Sequence, residues 1–103
     1  MTKFVYSKKL LKYRFGDDHP FNQMRLLLTK SLLESLSLLR AEDIVEPRTA
    51  TDEELMLIHQ PEYIEAVKKA GRGELSAGDC DKFGLNSNDT PNFKDMHEMS
   101  ALL

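Results

Sequence analysis

The fold is decided by the segment Tyr13-Arg14-Phe15-Gly16-Asp17-Asp18-His19-Pro20-Phe21-Asn22-Gln23-Met24-Arg25, where a polar, aromatic stretch gives way to a leucine-rich one. Gly16 and Pro20 predict that residues 7–21 form a long loop. Asn22 can cap a helix that runs to about Leu39 or Arg40. Apolar residues recur at helical spacing along it: Met24, Leu28, Leu32, Leu36 and Leu39, widened by Leu26, Leu27, Leu33 and Leu38. So wide a stripe predicts burial on more than one side.

Short β-prone runs flank this helix. Phe4-Val5-Tyr6 precedes it, and Ile44-Val45 follows it, just before Pro47. Two strands separated by a helix form a β-α-β unit, which favours parallel pairing. Because two parallel strands do not make a stable sheet alone, we expect an α/β fold of which this chain forms the beginning.

The second half of the chain is predicted to be mostly helical. Thr51 and Glu54 have capping-box spacing, which predicts a helix to about His59. Pro61 suits the first position of the next helix, which Gly71 is expected to end. Its apolar face contains Tyr63, Ile64 and Val67.

Beyond Gly71 the sequence predicts one long loop and one more helix. Residues 71–92 are rich in Gly, Ser, Asn and Asp, which is typical of a functional or disordered loop. Residues 93–103 then begin a helix with Met96, Met99 and Leu103 on one side, and no stop signal follows.

Composition excludes several classes of protein. The 103 residues are 41% apolar and 30% charged, with a net charge of -3, which fits one small globular domain. No basic block indicates nucleic-acid binding. The leucine-rich residues 26–39 are interrupted by Lys30 and Glu34, so we expect no membrane span. A single cysteine, Cys80, and no recognisable signal peptide favour a cytoplasmic location.

Most chemically active residues favour a structural interpretation. His19, His59 and His97 are widely spaced, so we expect no metal site from this chain alone. Cys80 lies between Asp79 and Asp81, whose charges oppose a thiolate. Gly71-Arg72-Gly73 is too short for a phosphate loop, and the acidic pairs Asp17-Asp18 and Glu53-Glu54 favour solvated carboxylates.

Two residues allow a functional interpretation beside a structural one. Arg25 offers a rigid, permanently charged fork for a carboxylate, and the alternative is a surface ion pair. Asp89 precedes Thr90-Pro91, a common turn context, so it is either a turn former or a residue at a pocket rim. Phe83 and Phe93 bracket its loop, which favours packing at such a rim.

Five pieces in order resemble the histone deacetylase and acetoin-utilization family. They are the opening segment quoted above, Val45-Glu46-Pro47-Arg48 with Ala50-Thr51-Asp52-Glu53-Glu54-Leu55, His59-Gln60-Pro61-Glu62-Tyr63-Ile64, Gly84-Leu85 with Asp89-Thr90-Pro91, and Phe93 with Met96-His97-Glu98. Asn86 and Asp95 depart from glycines usual in the family. Asparagine tolerates the positive φ that glycine supplies, whereas Asp95 puts the turn into the last helix in question.

The resemblance implies a fold and an activity. The fold would be the N-terminal part of a three-layer arginase-deacetylase fold, with a parallel sheet between helices. Residues 1–103 would be the N-terminal segment of that domain, incomplete at its C-terminal end. The activity would be hydrolysis of acyl-lysine amides by a zinc-bound water, on an acetylated protein or a small acylated substrate. The family's zinc ligands and catalytic histidines lie further downstream, so this chain alone would bind no zinc and be inactive.

The resemblance also assigns roles to both candidate residues. Asp89 matches the carboxylate at the rim that holds the substrate backbone. Arg25 matches the arginine at the inner end of the acyl tunnel, and residues 13–21 match one wall of the pocket mouth. Two alternatives stay open: a small helical interaction module without catalysis, and a truncated gene product without function. The apolar stripe also predicts self-association of the isolated chain.

Overall fold

The computed structural model describes residues 2–103, which begin with a short parallel sheet. Strand β1 (Phe4–Val5) pairs with β2 (Ile44–Val45), with Phe4 opposite Ile44. The pairing continues one residue further, where the Tyr6 N–H donates to the Val45 carbonyl at 3.0 Å. Both predicted strands and their parallel direction are therefore confirmed.

Helices make up most of the remaining regular structure. Within residues 2–103 the α-helices are α1 (Met24–Ser35), α2 (Asp52–Leu55), α3 (Pro61–Gly71), α4 (Ala77–Lys82) and α5 (Met96–Leu102). Short 3-10 helices occupy Lys8–Lys12 and Ala41–Asp43. The first of these lies inside the loop predicted for residues 7–21, where its Leu10 is buried. No helix in this part of the chain is long and apolar enough to cross a membrane.

Helix α1 is shorter than the sequence predicts. Its start agrees with the prediction, since Asn22 Oδ1 accepts the Met24 N–H at 2.9 Å. It ends at Ser35 because Ser37 adopts a left-handed conformation with φ of 58°. The Leu38 N–H then donates to the Leu33 carbonyl at 2.9 Å, which is the Schellman pattern of helix ends. Glycine usually occupies that position, so Ser37 gave no sequence signal of it.

The apolar stripe of α1 is covered on one side only. Leu26, Leu27 and Leu33 are half-buried. Met24, Leu28, Leu32 and Leu36 form an exposed row with four-residue spacing, and Leu28 is 64% exposed. We call these four residues the outer stripe. The prediction of burial on more than one side does not hold within residues 2–103.

The core lies among α3, α4 and α5. Its cluster of buried residues contains Ala66, Ala70, Cys80, Leu85 and Met96, and further buried apolar side chains include Leu10 and Ile64. The predicted capping box of α2 and the proline at the start of α3 are both present. Gly71 is the last residue of α3 and packs on α5, since an added Cβ would lie 3.2 Å from Met96 Cγ. The left-handed cap is Gly73, with φ of 73°.

Helix α4 lies where the sequence predicts a loop over residues 71–92. Ser76 caps it by accepting the Asp79 N–H at 3.2 Å. Cys80 is only 4% exposed, so the expectation of a polar loop around this thiol is wrong. The helix is six residues long and mostly polar, so it shows no apolar periodicity. Helix α5 starts at Met96, directly after Asp95, which adopts a left-handed conformation. Asp95 therefore makes the turn into this helix, although the family usually has glycine at its position.

Candidate functional site

Two loops face each other and bring the candidate residues into one region. We call residues 13–21 the wall loop and residues 84–93 the rim loop. Tyr13 and Phe15 of the wall loop contact Phe93 of the rim loop edge-to-face, with ring centroids 5.3 Å and 5.4 Å apart. Phe21 completes the cluster, 5.5 Å from Tyr13. Edge-to-face aromatic pairs stabilise such packing, so the cluster holds the two loops together.

His19 adds a hydrogen bond between the loops. Its Nδ1 accepts the Phe21 N–H at 3.0 Å, and its Nε2 lies 2.7 Å from the Asp89 backbone carbonyl oxygen. A backbone N–H only donates and a carbonyl only accepts. The neutral ring must therefore carry its proton on Nε2 and donate it to Asp89. The ring also packs on Phe15, with centroids 4.4 Å apart.

The rim loop has a turn of its own, built by side chains other than Asp89. Ser87 Oγ accepts the Thr90 N–H at 3.0 Å. Asn86 Oδ1 accepts the Asn92 N–H at 3.0 Å across the loop. Asn86 itself has φ of 59°, as expected for an asparagine at a position where glycine is usual.

The Asp89 side chain is exposed and makes no hydrogen bond or ion pair with residues 2–103. A turn-forming aspartate needs its carboxylate near a backbone N–H. Here Ser87 and Asn86 supply the side-chain oxygens of the turn. The backbone of Asp89 is thus held by His19, while both carboxylate oxygens remain available to a ligand.

Arg25 is the second residue of α1 and lies beside the wall loop. It is exposed, and its guanidinium carbon lies 4.4 Å from the Phe21 ring centre. Within the described residues it forms this cation–π contact and no ion pair, so the surface-pair alternative lacks a partner there. Arg25 and Asp89 do not touch each other. Each contacts the wall loop, Arg25 through Phe21 and Asp89 through His19.

Concave surfaces lie beside the wall loop. A cavity of about 320 Å³ is lined by Phe15, Gly16, Asp17, Asp18, His19, Pro20, Asn88 and Pro91. Another of about 300 Å³ is lined by Arg14, Gly16, Asp17, His19, Phe21, Asn22, Gln23 and Met24. His19 lines both cavities, so the residue that joins the loops also shapes the surface around them.

Several ion pairs that shift pKa values lie away from these loops, around α2. Arg48 donates to both oxygens of Glu54, at 2.7 Å and 2.9 Å, and lowers the pKa of Glu54 to about 2. A hydrogen bond from Lys68 lowers the pKa of Asp52. His97 Nε2 lies 3.7 Å from Asp52 Oδ1, and the His59 ring packs near Tyr63. These two histidines therefore make local contacts with neighbouring elements.

The described residues do not fit a metal ion by themselves. No three His, Cys, Asp or Glu side chains in residues 2–103 lie close enough together to hold one. A zinc site made only from these side chains would lack the three protein ligands that a catalytic zinc needs.

A family model described as the histone deacetylase domain matches residues 19–103. The chain belongs to the histone deacetylase family. The match begins at His19 and includes Arg25, the aromatic residues Phe21 and Phe93, and the whole rim loop. The resemblance described for these segments is thereby confirmed at the level of the family.

Bacterial family members align with nearly the whole chain. The acetoin utilization protein AcuC of Staphylococcus aureus (strain MSSA476) is 55% identical over 102 residues, which are 99% of this chain and 26% of that protein. AcuC of Bacillus subtilis (strain 168) is 48% identical over 100 residues, again covering 26% of its length. The chain spans about a quarter of the curated relatives it matches.

Solved deacetylase homologues have the same backbone arrangement. The crystal structure of an HDAC homolog complexed with SAHA superimposes with a TM-score of 0.85 at 26% identity, covering 98% of this chain and 27% of that one. An HDAC homolog from Aquifex aeolicus gives 0.84 with the same identity. The predicted fold, part of the α/β deacetylase architecture with a parallel sheet, is confirmed.

Proposed function

We propose that this chain forms the substrate-entry wall of a zinc-dependent lysine deacetylase of the acetoin-utilization type. The enzyme would hydrolyse acyl-lysine amides in an acetylated protein or a small acylated substrate. Membership of the deacetylase family supports the reaction class. The AcuC relatives support the acetoin-utilization branch.

The observation that carries the proposal is the exposed Asp89 carboxylate on a rim loop whose turn is built by other residues. A carboxylate can accept hydrogen bonds from two successive backbone N–H groups, and its charge strengthens both. In this proposal Asp89 clamps the substrate backbone while the acyl-lysine side chain reaches inward. This is a positioning role and involves no proton transfer.

Arg25 is proposed to lie beside the inner acyl tunnel. Its guanidinium carbon lies 4.4 Å from the Phe21 ring centre, and this cation–π contact keeps the charge close to the wall loop. Such a fork can bind acetate, the carboxylate released by hydrolysis. Arg25 would therefore act on the product side, and Asp89 on the substrate side.

The zinc ligands and the catalytic groups would come from the part of the enzyme outside the quarter that aligns with this chain. The chain covers 26% of its AcuC relatives, and residues 2–103 bring no metal ligands together. We accordingly expect residues 1–103 alone to be inactive and to retain no zinc after dialysis. A cytoplasmic location is part of the proposal, consistent with the free, buried Cys80.

The test uses a hybrid protein in which residues 2–103 replace the 102 matched residues of the S. aureus relative. The hybrid should deacetylate an acetyl-lysine peptide and lose that activity on chelation of zinc. The 103-residue chain alone should show none. A folded hybrid without activity, beside an active S. aureus parent, would contradict the proposal.

The alternative of a helical interaction module rests on the exposed outer stripe of α1. The same hybrid separates the two functions. An interaction module requires no hydrolysis, whereas a deacetylase wall must support it when joined to the remaining domain.

A further inference from the structure

We propose that His19 is a positioning residue of the Asp89 substrate clamp, acting on peptide substrates through the Asp89 backbone carbonyl. The inference rests on the proposed function, because it requires Asp89 to bind a substrate backbone. It adds a second residue to the clamp, and it assigns that residue no contact with the reacting atoms.

His19 donates to the carbonyl of Asp89 and not to its carboxylate, at 2.7 Å. The carboxylate therefore keeps both oxygens for a ligand while the backbone that bears it is tied down. A bond to the carboxylate itself would have used one of the acceptors that the clamp needs.

The rim loop cannot set its own orientation relative to the wall loop. The hydrogen bonds that the Ser87 and Asn86 side chains accept both come from N–H groups of the rim loop itself. They fix the shape of the turn, but not its distance from the wall loop. Among hydrogen bonds within residues 2–103, the one from His19 alone joins the two loops. The Tyr13 and Phe15 contacts with Phe93 act at the far end of the rim loop, four residues beyond Asp89.

His19 is itself held on two sides. The Phe21 N–H occupies its Nδ1 at 3.0 Å, and Phe15 packs on its ring at 4.4 Å. The first contact selects the tautomer with the proton on Nε2, and the second limits rotation of the ring. A small error in the position of a clamp is costly, since misplacement by about 1 Å can reduce a rate by about a hundredfold.

The experiment uses the hybrid protein and replaces His19 by Gln or by Asn. Each of these amide side chains can make one of the two hydrogen bonds of the histidine ring. In His19→Gln the side-chain N–H₂ lies as many bonds from Cα as histidine Nε2, so the donor to Asp89 can be kept. In His19→Asn the side-chain oxygen replaces Nδ1, so the Phe21 bond can be kept while the donor to Asp89 is lost. His19→Phe keeps the ring against Phe15 and removes both nitrogens.

The readout is kcat/KM on an acetyl-lysine peptide divided by kcat/KM on a small acylated substrate without a peptide backbone. His19→Asn and His19→Phe should lower this ratio by about fivefold or more, mainly through a higher KM for the peptide. His19→Gln should restore it to within about twofold. Turnover of the small substrate in the same preparation shows that each variant is folded.

A double variant separates this inference from the proposed function. With Asp89→Asn already present, His19→Asn should cause little further loss of peptide activity, because both changes damage one clamp. Equal ratios for His19→Asn and the parent, failure of rescue by His19→Gln, or full additivity with Asp89→Asn would overturn the role of His19 alone. Full peptide activity of Asp89→Asn would overturn the clamp itself, and the role of His19 with it.

Discussion

His19 Nε2 and the backbone carbonyl oxygen of Asp89 lie 2.7 Å apart, although the two residues are 70 positions apart in sequence. Because Phe21 donates to Nδ1, His19 must be the tautomer protonated on Nε2. We expect ¹⁵N NMR of the histidine side chains to show a protonated Nε2 and an unprotonated Nδ1 for His19. A spectrum with the proton on Nδ1 would contradict this hydrogen-bond arrangement.

Replacement of Arg25 tests its proposed role in binding the acetate product beside the inner acyl tunnel. In the hybrid protein, Arg25→Ala should lower kcat for peptide deacetylation by about tenfold, because the fork for the carboxylate product is lost. Arg25→Lys keeps the charge without the planar fork and should give an intermediate rate. Arg72→Ala, which removes an exposed arginine paired with Glu74 away from both loops, is the control and should leave kcat unchanged. Normal kinetics in a folded Arg25→Ala variant would rule out the role.

The outer stripe of α1 should make the isolated chain associate with itself. Leu28 and Leu32 are 64% and 58% exposed, and adjacent apolar side chains of this kind favour association. Sedimentation of the 103-residue chain should show oligomers, and Leu28→Lys with Leu32→Lys should shift it toward monomer. Thr29→Lys with Ser31→Lys adds the same charge to exposed polar positions of α1 and should shift it less. Equal shifts for the two pairs would mean that net charge, and not the stripe, controls association.

Acid should weaken the fold partly through Glu54. The ion pair with Arg48 lowers its pKa from 4.5 to about 2, so the folded chain favours the ionised carboxylate more strongly than the unfolded chain does. This contribution is complete above about pH 4.5 and is lost as the pH falls toward 2. Glu54→Gln should therefore flatten the pH dependence of the unfolding free energy in that window.

The control for Glu54 is Glu53→Gln, at an exposed neighbouring carboxylate that forms no ion pair within residues 2–103. Chemical unfolding at several pH values between 2 and 5 measures both variants. A slope for Glu54→Gln equal to that of the parent would show that the Arg48 pair contributes nothing in solution.

The sequence predicted the parts of the fold that depend on periodicity and capping. The β-prone runs at Phe4 and Ile44, the capping box at Thr51 and the proline at Pro61 each have a local physical cause. Helix α4 was missed because its single core contact, Cys80, lies among polar residues. The end of α1 was missed because Ser37 adopts a conformation that serine seldom takes.

Residues of the candidate site could be predicted from the sequence only where their charge and their sequence context indicated a role. Arg25 and Asp89 stood out by charge and context, together with the resemblance to the deacetylase family. His19 did not, because its partner Asp89 lies 70 residues away and the bond uses a backbone carbonyl, which every residue has. The available signal that the two loops pack together was their aromatic content, in the wall loop and at Phe93.

The central claim is that the Asp89 carboxylate clamps the substrate backbone, and kcat/KM of Asp89→Asn in the hybrid protein measures it most directly. Asparagine can form a turn but offers one oxygen acceptor and no charge. Asp81→Asn makes the same change at an exposed site on α4 and serves as the matched control. Asp89→Asn should fold normally and lose at least about tenfold in kcat/KM on an acetyl-lysine peptide, which corresponds to about 1.4 kcal/mol of transition-state binding. Activity on a small acylated substrate should fall less, and Asp81→Asn should match the parent on both. Full peptide activity in Asp89→Asn would contradict the account.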